Sequence, residues 1–169
     1  LQTVCYAAGV KELMTAGYLC HVSTKKGNIV DIDMSKLHIR GGEFIESEVS
    51  DLMDTDELVE TTCQDIITQT LTRNSVLIFT CGMQHGEHVK KVLIEKHGMT
   101  ADFITGKTPS GKRTSILAEF KAGKIKFLIN INVLTVGFDA PNIDCIAMLR
   151  PTMSPGLYYQ MVGRGFRIC

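Results

Sequence analysis

A chain of 169 residues, 44% hydrophobic and 21% charged, is long enough to bury a core and too apolar to stay disordered, so one domain with at most a small appendage is expected. Lys and Arg number 18, as do Asp and Glu; the zero net charge excludes a protein that coats nucleic acid by bulk charge, and any such contact must come from a local patch. No run of about 18 apolar residues is present, so no membrane span is expected.

The sequence opens on Leu1 and stops two residues after Arg167, which points to a piece of a longer chain. Residues 1–10 lack the basic start of a secretory signal, and a cytoplasmic setting is expected. The cysteines (Cys5, Cys20, Cys63, Cys81, Cys145 and Cys169) form no Cys-x-x-Cys pair. Their wide spacing argues against a zinc ribbon and, in a cytoplasmic chain, against disulfides.

Taken in order, residues 10–17 predict a short helix, residues 18–22 a strand, and Lys25-Lys26-Gly27-Asn28 a turn. Residues 28–40 alternate weakly and predict one or two short strands; Asp31 and Asp33 share a face there, explained better by solvation than by a metal. Gly41-Gly42 breaks the chain. Residues 43–53 and 55–72 predict two structural helices. Asp54 with Glu57 resembles a capping box for the second, and Leu58, Cys63, Ile66, Ile67 and Leu71 form its apolar stripe.

From Asn74 the rhythm changes. Compact apolar runs at residues 75–80, 101–105, 126–130 and 144–149 predict buried strands. Between them, residues 85–97 and 110–121 predict helices, stopped by Gly98 and near Gly123, the second turning Ile116, Leu117 and Phe120 inward. Strands alternating with helices define an α/β fold: a three-layer sandwich whose parallel sheet carries helices on both faces. Ligands of such sheets bind at the carboxyl ends of the strands. The loops of interest are therefore residues 80–84, 105–109 and 130–141, and a last helix, starting near Ser154-Pro155, can reach the same edge.

Several constellations compete for a chemical role. Gly106-Lys107-Thr108 resembles the tail of a phosphate-binding loop, but Ala101 stands where the pattern needs glycine, and Pro109 follows at once. No Asp-Glu pair ends an apolar strand. The chain thus lacks its own triphosphate cradle and its own Mg²⁺ carboxylate. Cys81, His85 and His88 have a metal-like spacing without an evident fourth ligand, and a polar helix start explains them better. In residues 131–141, Gly137 allows a tight turn and Asp139 can accept bonds from sugar hydroxyls. Finally, Gln160-Met161-Val162-Gly163-Arg164-Gly165-Phe166-Arg167 puts two arginines three residues apart, on one face if the helix continues. Two guanidinium forks suit a polyphosphate, and Gly163 leaves the neighbouring backbone open to close approach. The plain alternative is a pair of solvated surface arginines.

Together these segments carry a resemblance. Residues 76–167 resemble the second RecA-like domain of superfamily 2 ATP-dependent helicases. Leu77-Ile78-Phe79-Thr80 is similar to that family's motif IV, residues 132–141 to motif V, and residues 160–167 to motif VI. Ile104-Thr105-Gly106 with Arg113, Phe120, Lys121 and Gly123 match the pattern between. The Phe79-Thr80, Gly-Phe-Asp-Ala-Pro and Gln-x-x-Gly-Arg-Gly-x-Arg forms are most similar to RadD- and UvrB-like helicases of the bacterial and phage DNA-repair branch. Gly17-Tyr18-Leu19 resembles the link that follows the first helicase domain. Residues 1–73 would then be that link plus leading helices, and residues 74–169 the RecA-like domain.

The resemblance implies roles. Arg164 and Arg167 would be arginine fingers for ATP held on a first RecA-like domain, which would also hold Mg²⁺. Gln160 would couple the two domains; Gly137, Asp139 and Gly163 would line the ATP site. Thr80, Gly106, Lys107, Asn132 and Thr135 would lie along a DNA backbone. Nucleoid association would follow in a bacterium. Two positions depart from the pattern: Met161 replaces a frequent arginine, and Ile131 replaces the phosphate-binding threonine of RNA-type relatives. An RNA helicase domain and a non-catalytic α/β binding module stay open as alternatives.

Overall fold

The computed structural model describes residues 9–20, 22–25, 27, 32–131 and 142–166. In chain order the elements are α1 (Val10–Thr15), β1 (Ile39–Arg40), β2 (Glu43–Phe44), α2 (Glu46–Met53), α3 (Asp56–Gln69), β3 (Val76–Phe79), α4 (Met83–Lys91), β4 (Ala101–Ile104), α5 (Ser110–Lys121), β5 (Phe127–Asn130), β6 (Cys145–Met148) and α6 (Pro155–Val162). Short 3₁₀ turns occupy Met34–Lys36 and Gly163–Gly165, and a π turn, Val92–Lys96, prolongs α4.

Val76, Leu77, Ile78 and Phe79 carry no polar side chain, and all four are buried. A strand buried on both sides needs neighbours that hide its backbone and helices that hide both faces. The sheet has the order β4-β5-β3-β6, and every pairing is parallel, with Val76 opposite Phe127 and Cys145. Side chains alternate across it. Val76, Ile78, Phe127 and Ile129 face α3, α4 and the π turn through Val59, Cys63, Ile66, Ile67, Val89 and Leu93. Leu77, Phe79 and Leu128 face α5 and α6 through Ile116, Phe120 and Met161. Truncating Phe120 or Phe127, each fully buried, would cost ~3–5 kcal/mol. The expected three-layer α/β sandwich with a parallel sheet is the observed fold.

Some boundaries differ from those read in the sequence. Residues 18–20 are not strand. Gly17, at φ +78°, turns the chain back so that the Tyr18 and Leu19 amides donate to Leu13 O, as at a glycine-ended helix. Residues 43–44 are strand rather than helix. Gly41 and Gly42, at φ +63° and +81°, make a two-residue turn that pairs Arg40 with Glu43, and α2 starts only after it. Thr55, not Asp54, caps α3: its hydroxyl accepts from Leu58 N, while Asp54 is taken by His88. Leu71 lies past the end of α3 and is 72% exposed, so it leaves the stripe. Asp33 caps the 3₁₀ turn Met34–Lys36 instead of lying on a strand, and Asp31 is outside the described residues.

Candidate functional site

Parallel strands bring the ends of β3, β4 and β5 to one edge, and the ladder runs one residue further there. Thr80 N donates to Asn130 O (3.3 Å) and Ile131 N to Ile104 O (3.2 Å). Thr80, expected along a nucleic-acid backbone, is only 1% exposed. It is covered by Gly86 of α4, whose Cα comes so near that an added Cβ would lie 3.1 Å from Thr80 Oγ1 and 2.8 Å from Ile131 Cδ1. Neither Thr80 nor Ile131 therefore offers a side chain to this surface.

Gly106 and Lys107 do reach the surface. The turn that carries them is locked from below. Thr105 Oγ1 accepts from Lys107 N (3.1 Å), Thr108 Oγ1 accepts from Thr105 N (3.0 Å), and Arg113 Nη2 donates to Thr105 O (3.1 Å) and Thr108 O (3.4 Å). A guanidinium bonded to two carbonyls fixes a short loop without a regular element. Arg113 is thus a buttress for the exposed Gly106-Lys107 tip.

At the start of α4, Cys81, His85 and His88 each have partners within the protein. Cys81 Sγ donates to Leu149 O (3.1 Å), and burial pushes its thiol up to about 12. His85 Nδ1 accepts from Cys81 N (3.4 Å); burial pushes it down to about 4, with Asp54 opposing and His88 adding to the effect. His88 turns away, with Nδ1 2.7 Å from Asp54 Oδ1 and Nε2 3.3 Å from Asp56 Oδ1. His88 thus ties α4 to the end of α2 and the start of α3. Among the described residues no group of three or more His, Cys, Asp or Glu side chains could hold a metal ion.

The segment from Gln160 to Phe166 follows β6. Ser154 caps α6 by accepting from Leu157 N (3.3 Å), and Pro155 takes the first turn, where its missing N–H costs nothing. Gln160 is exposed. Met161 is 1% exposed and packs with Phe79, Phe120 and Leu128; the departure from arginine at this position places an apolar side chain in the core. The helix does not reach Arg164. It ends at Val162, and Arg164 sits in the 3₁₀ turn between two glycines, the poorest helix formers after proline. This turn packs against β6 itself: an added Cβ on Gly165 would lie 3.1 Å from Ile146 Cδ1. Arg164 is half-buried and is not a free surface charge. At Gly163, by contrast, a Cβ would meet nothing within 4 Å. Asn132, Thr135, Gly137, Asp139 and Arg167 lie outside the described residues.

Two groups of contacts, with no counterpart in any local pattern, hold this segment. Cys20 N donates to Phe166 O (3.0 Å) and Cys20 Sγ to Gly165 O (3.0 Å), tying the segment after α1 to the arginine turn. On the other side, the Glu43 carboxylate accepts from the Thr152 hydroxyl, from Met153 N (2.9 Å) and from Ser154 N (3.3 Å). Burial pushes the Glu43 carboxyl up, but these bonds and that from Phe44 N outweigh it and hold it below its usual range. Contacts between residues more than a hundred positions apart leave no local pattern to read.

A parallel sheet of this order between two helical layers, with its last helix running into an arginine-bearing turn, defines a RecA-like α/β domain. The same fold is seen in a DEAD box protein from the hyperthermophile Methanococcus jannaschii (TM-score 0.55, 20% identity, 63% of this chain and 29% of that one). The helicase conserved C-terminal domain family matches residues 57–169, and the chain belongs to that family, as the C-terminal domain of a superfamily 2 helicase. It is similar to IRC3 of Saccharomyces cerevisiae, named as an ATP-dependent helicase: 31% identical over 170 residues, 99% of this chain and 24% of that protein. It is also similar to UvrABC system protein B of Edwardsiella ictaluri, at 27% over 138 residues, 76% of this chain and 20% of that protein. The chain spans about a quarter or less of the length of these relatives. No helix among the described residues is long and apolar enough to cross a membrane.

Proposed function

We propose that this domain is the second motor half of an ATP-dependent DNA helicase of the repair branch. ATP would bind between it and a first RecA-like domain carrying the phosphate cradle. Mg²⁺ would be held there too, where it would neutralise phosphate charge; the described residues present no acidic cluster that fits it. Arg164 and Arg167 would reach across the cleft and stabilise the charge that spreads over the transferred phosphoryl group. Gln160, exposed on α6, would sense closure of the two halves. Gly137, Asp139 and Gly163 would border the nucleotide. Gly106, Lys107, Asn132 and Thr135 would form a track along the DNA backbone, with Thr80 beneath it. Backbone contact suits a motor that must ignore sequence. Opening and closing of the cleft would then move the halves along the strand.

The observation that carries the reading is the family match running through Gln160–Arg167, joined to a half-buried Arg164 in a turn whose Gly165 packs on β6. In the full-length protein, Arg164→Ala and Arg167→Ala should each lower DNA-stimulated ATP turnover by roughly 10³–10⁵, the range for arginine fingers. Normal turnover in both variants sinks the proposal. Strand displacement measured side by side on DNA and RNA duplexes separates the two substrates; a preference for RNA would transfer the same machinery to an RNA helicase.

A further inference from the structure

The hairpin β1–β2 and helix α2 contribute no strand to the parallel sheet. Two-stranded hairpins are marginal alone. This one is anchored at both ends. Phe44, Ile32 and Leu37 pack on Val49, Met53, Leu58 and Cys81, next to the start of α4. At its turn, Gly41 and Gly42 fold the chain so tightly that Glu43 lies opposite Arg40 and its carboxylate meets the loop leading into α6. Glu46, the first residue of α2, adds a weaker tie, 3.8 Å from Arg150 Nη2.

We propose that Glu43 is a positioning residue for the arginine segment, holding the first turn of α6 so that Arg164 meets the nucleotide in register. The proposal rests on the helicase reading. Its physical basis is the set of donors that Glu43 gathers: the Thr152 hydroxyl, Met153 N and Ser154 N. Thr152 Oγ1 in turn accepts from Ser154 N (3.0 Å), and Ser154 is the cap of α6. One carboxylate therefore fixes the three residues that set the direction of the helix. A negative charge also suits the positive end of the helix dipole. An eight-residue helix is ~12 Å long, so a tilt of about 5° at its start displaces its far end by about 1 Å. Arg164 sits just beyond that far end. A guanidinium misplaced by that distance loses much of its hold on a transition state while barely changing the affinity for bound ATP.

The test uses the full-length protein. Glu43→Gln keeps the shape but turns one acceptor oxygen into a donor, so at least one of the three bonds fails. The expected result is a fall in kcat for DNA-stimulated ATP hydrolysis of about 10–100-fold with KM for ATP within about twofold. Amide exchange at Ser154 and Leu157 should quicken while β3 and α3 stay protected. Thr152→Val should give a smaller loss, and the double variant should be no worse than Glu43→Gln, because both act through one network. Unchanged kcat in Glu43→Gln overturns the proposal. So does a loss that appears as a lower melting point with KM and kcat shifting together, which is the mark of general unfolding. If Glu43→Gln does not fold, Thr152→Val with full activity overturns it equally. A wild type without stimulated turnover defeats the helicase reading instead; unchanged exchange at Ser154 and Leu157 then separately removes any hold of Glu43 on α6.

Discussion

Three glycines separate shape from chemistry at the residue scale. Gly86 and Gly165 are packed: a Cβ at the first would lie 2.8 Å from Ile131 Cδ1, and at the second 3.1 Å from Ile146 Cδ1. Gly163 has φ −58° and nothing within 4 Å of a Cβ. Gly86→Ala should therefore cost about 1–3 kcal/mol, as overpacking does, read as a lower urea midpoint at unchanged slope. Gly163→Ala should leave the unfolding free energy within about 1 kcal/mol of the parent, or raise it, since a residue with helical φ is tolerated and the unfolded chain loses freedom. If Gly163→Ala keeps its stability yet slows ATP turnover in the full-length protein, the open space serves an incoming group. If turnover is also unchanged, Gly163 has no part in the site. Sequence reasoning could single out Gly163 because it stands beside an arginine in a spaced pattern. It could not single out Gly86, whose constraint comes from Ile131 on a different strand end.

Elements show the same division. Every strand of the parallel sheet was legible, because continuous apolar runs between glycine stops have few other uses. Ends were less so. The start of α2 was hidden by a glycine turn that makes residues 43–44 a strand, and the cap of α3 fell to Thr55 because Asp54 is drawn to His88 on another helix. That junction of α2, α3 and α4 carries a pH prediction. His85 is 2% exposed and burial holds it at about 4, against 6.5 in the unfolded chain. Below pH 6.5 the unfolded state takes up a proton that the folded state refuses, so stability falls as pH drops. The loss should build up to roughly 3 kcal/mol by about pH 4 and level off below it, at 1.36 kcal/mol per pKa unit. Asp54 and His88 are the charged neighbours that shape it. Urea unfolding at several pH values should show this slope, and His85→Gln should flatten it. An equal slope in the variant would assign the acid sensitivity to other groups.

Across the whole molecule, the sheet, its two helical covers and the arginine turn form one packed unit, and α3 belongs to it: Val59, Cys63, Ile66 and Ile67 share a core with Val76 and Phe127. The family match also begins inside α3, at residue 57. What the sequence left illegible is how this unit is steered. Cys20 and Glu43 grip the arginine segment from two sides, through contacts more than a hundred residues apart in the chain. The division of labour gives the last prediction. Gly106 to Lys112 has the Gly-x-x-x-x-Gly-Lys spacing, but Arg113 follows where a phosphate loop needs Ser or Thr, and the Lys107 and Thr108 amides are already donated to Thr105. A turn satisfied internally has no free ring of N–H donors for phosphate. The isolated chain should therefore fold, with one cooperative melting transition, yet hydrolyse no ATP above background, with or without DNA. Fingers alone stabilise a transition state only when another surface has bound and aligned the phosphates. Measured turnover by the isolated chain that is lost in Lys107→Ala would show that the cradle lies here after all, and the assignment of the phosphates to a first domain would fall.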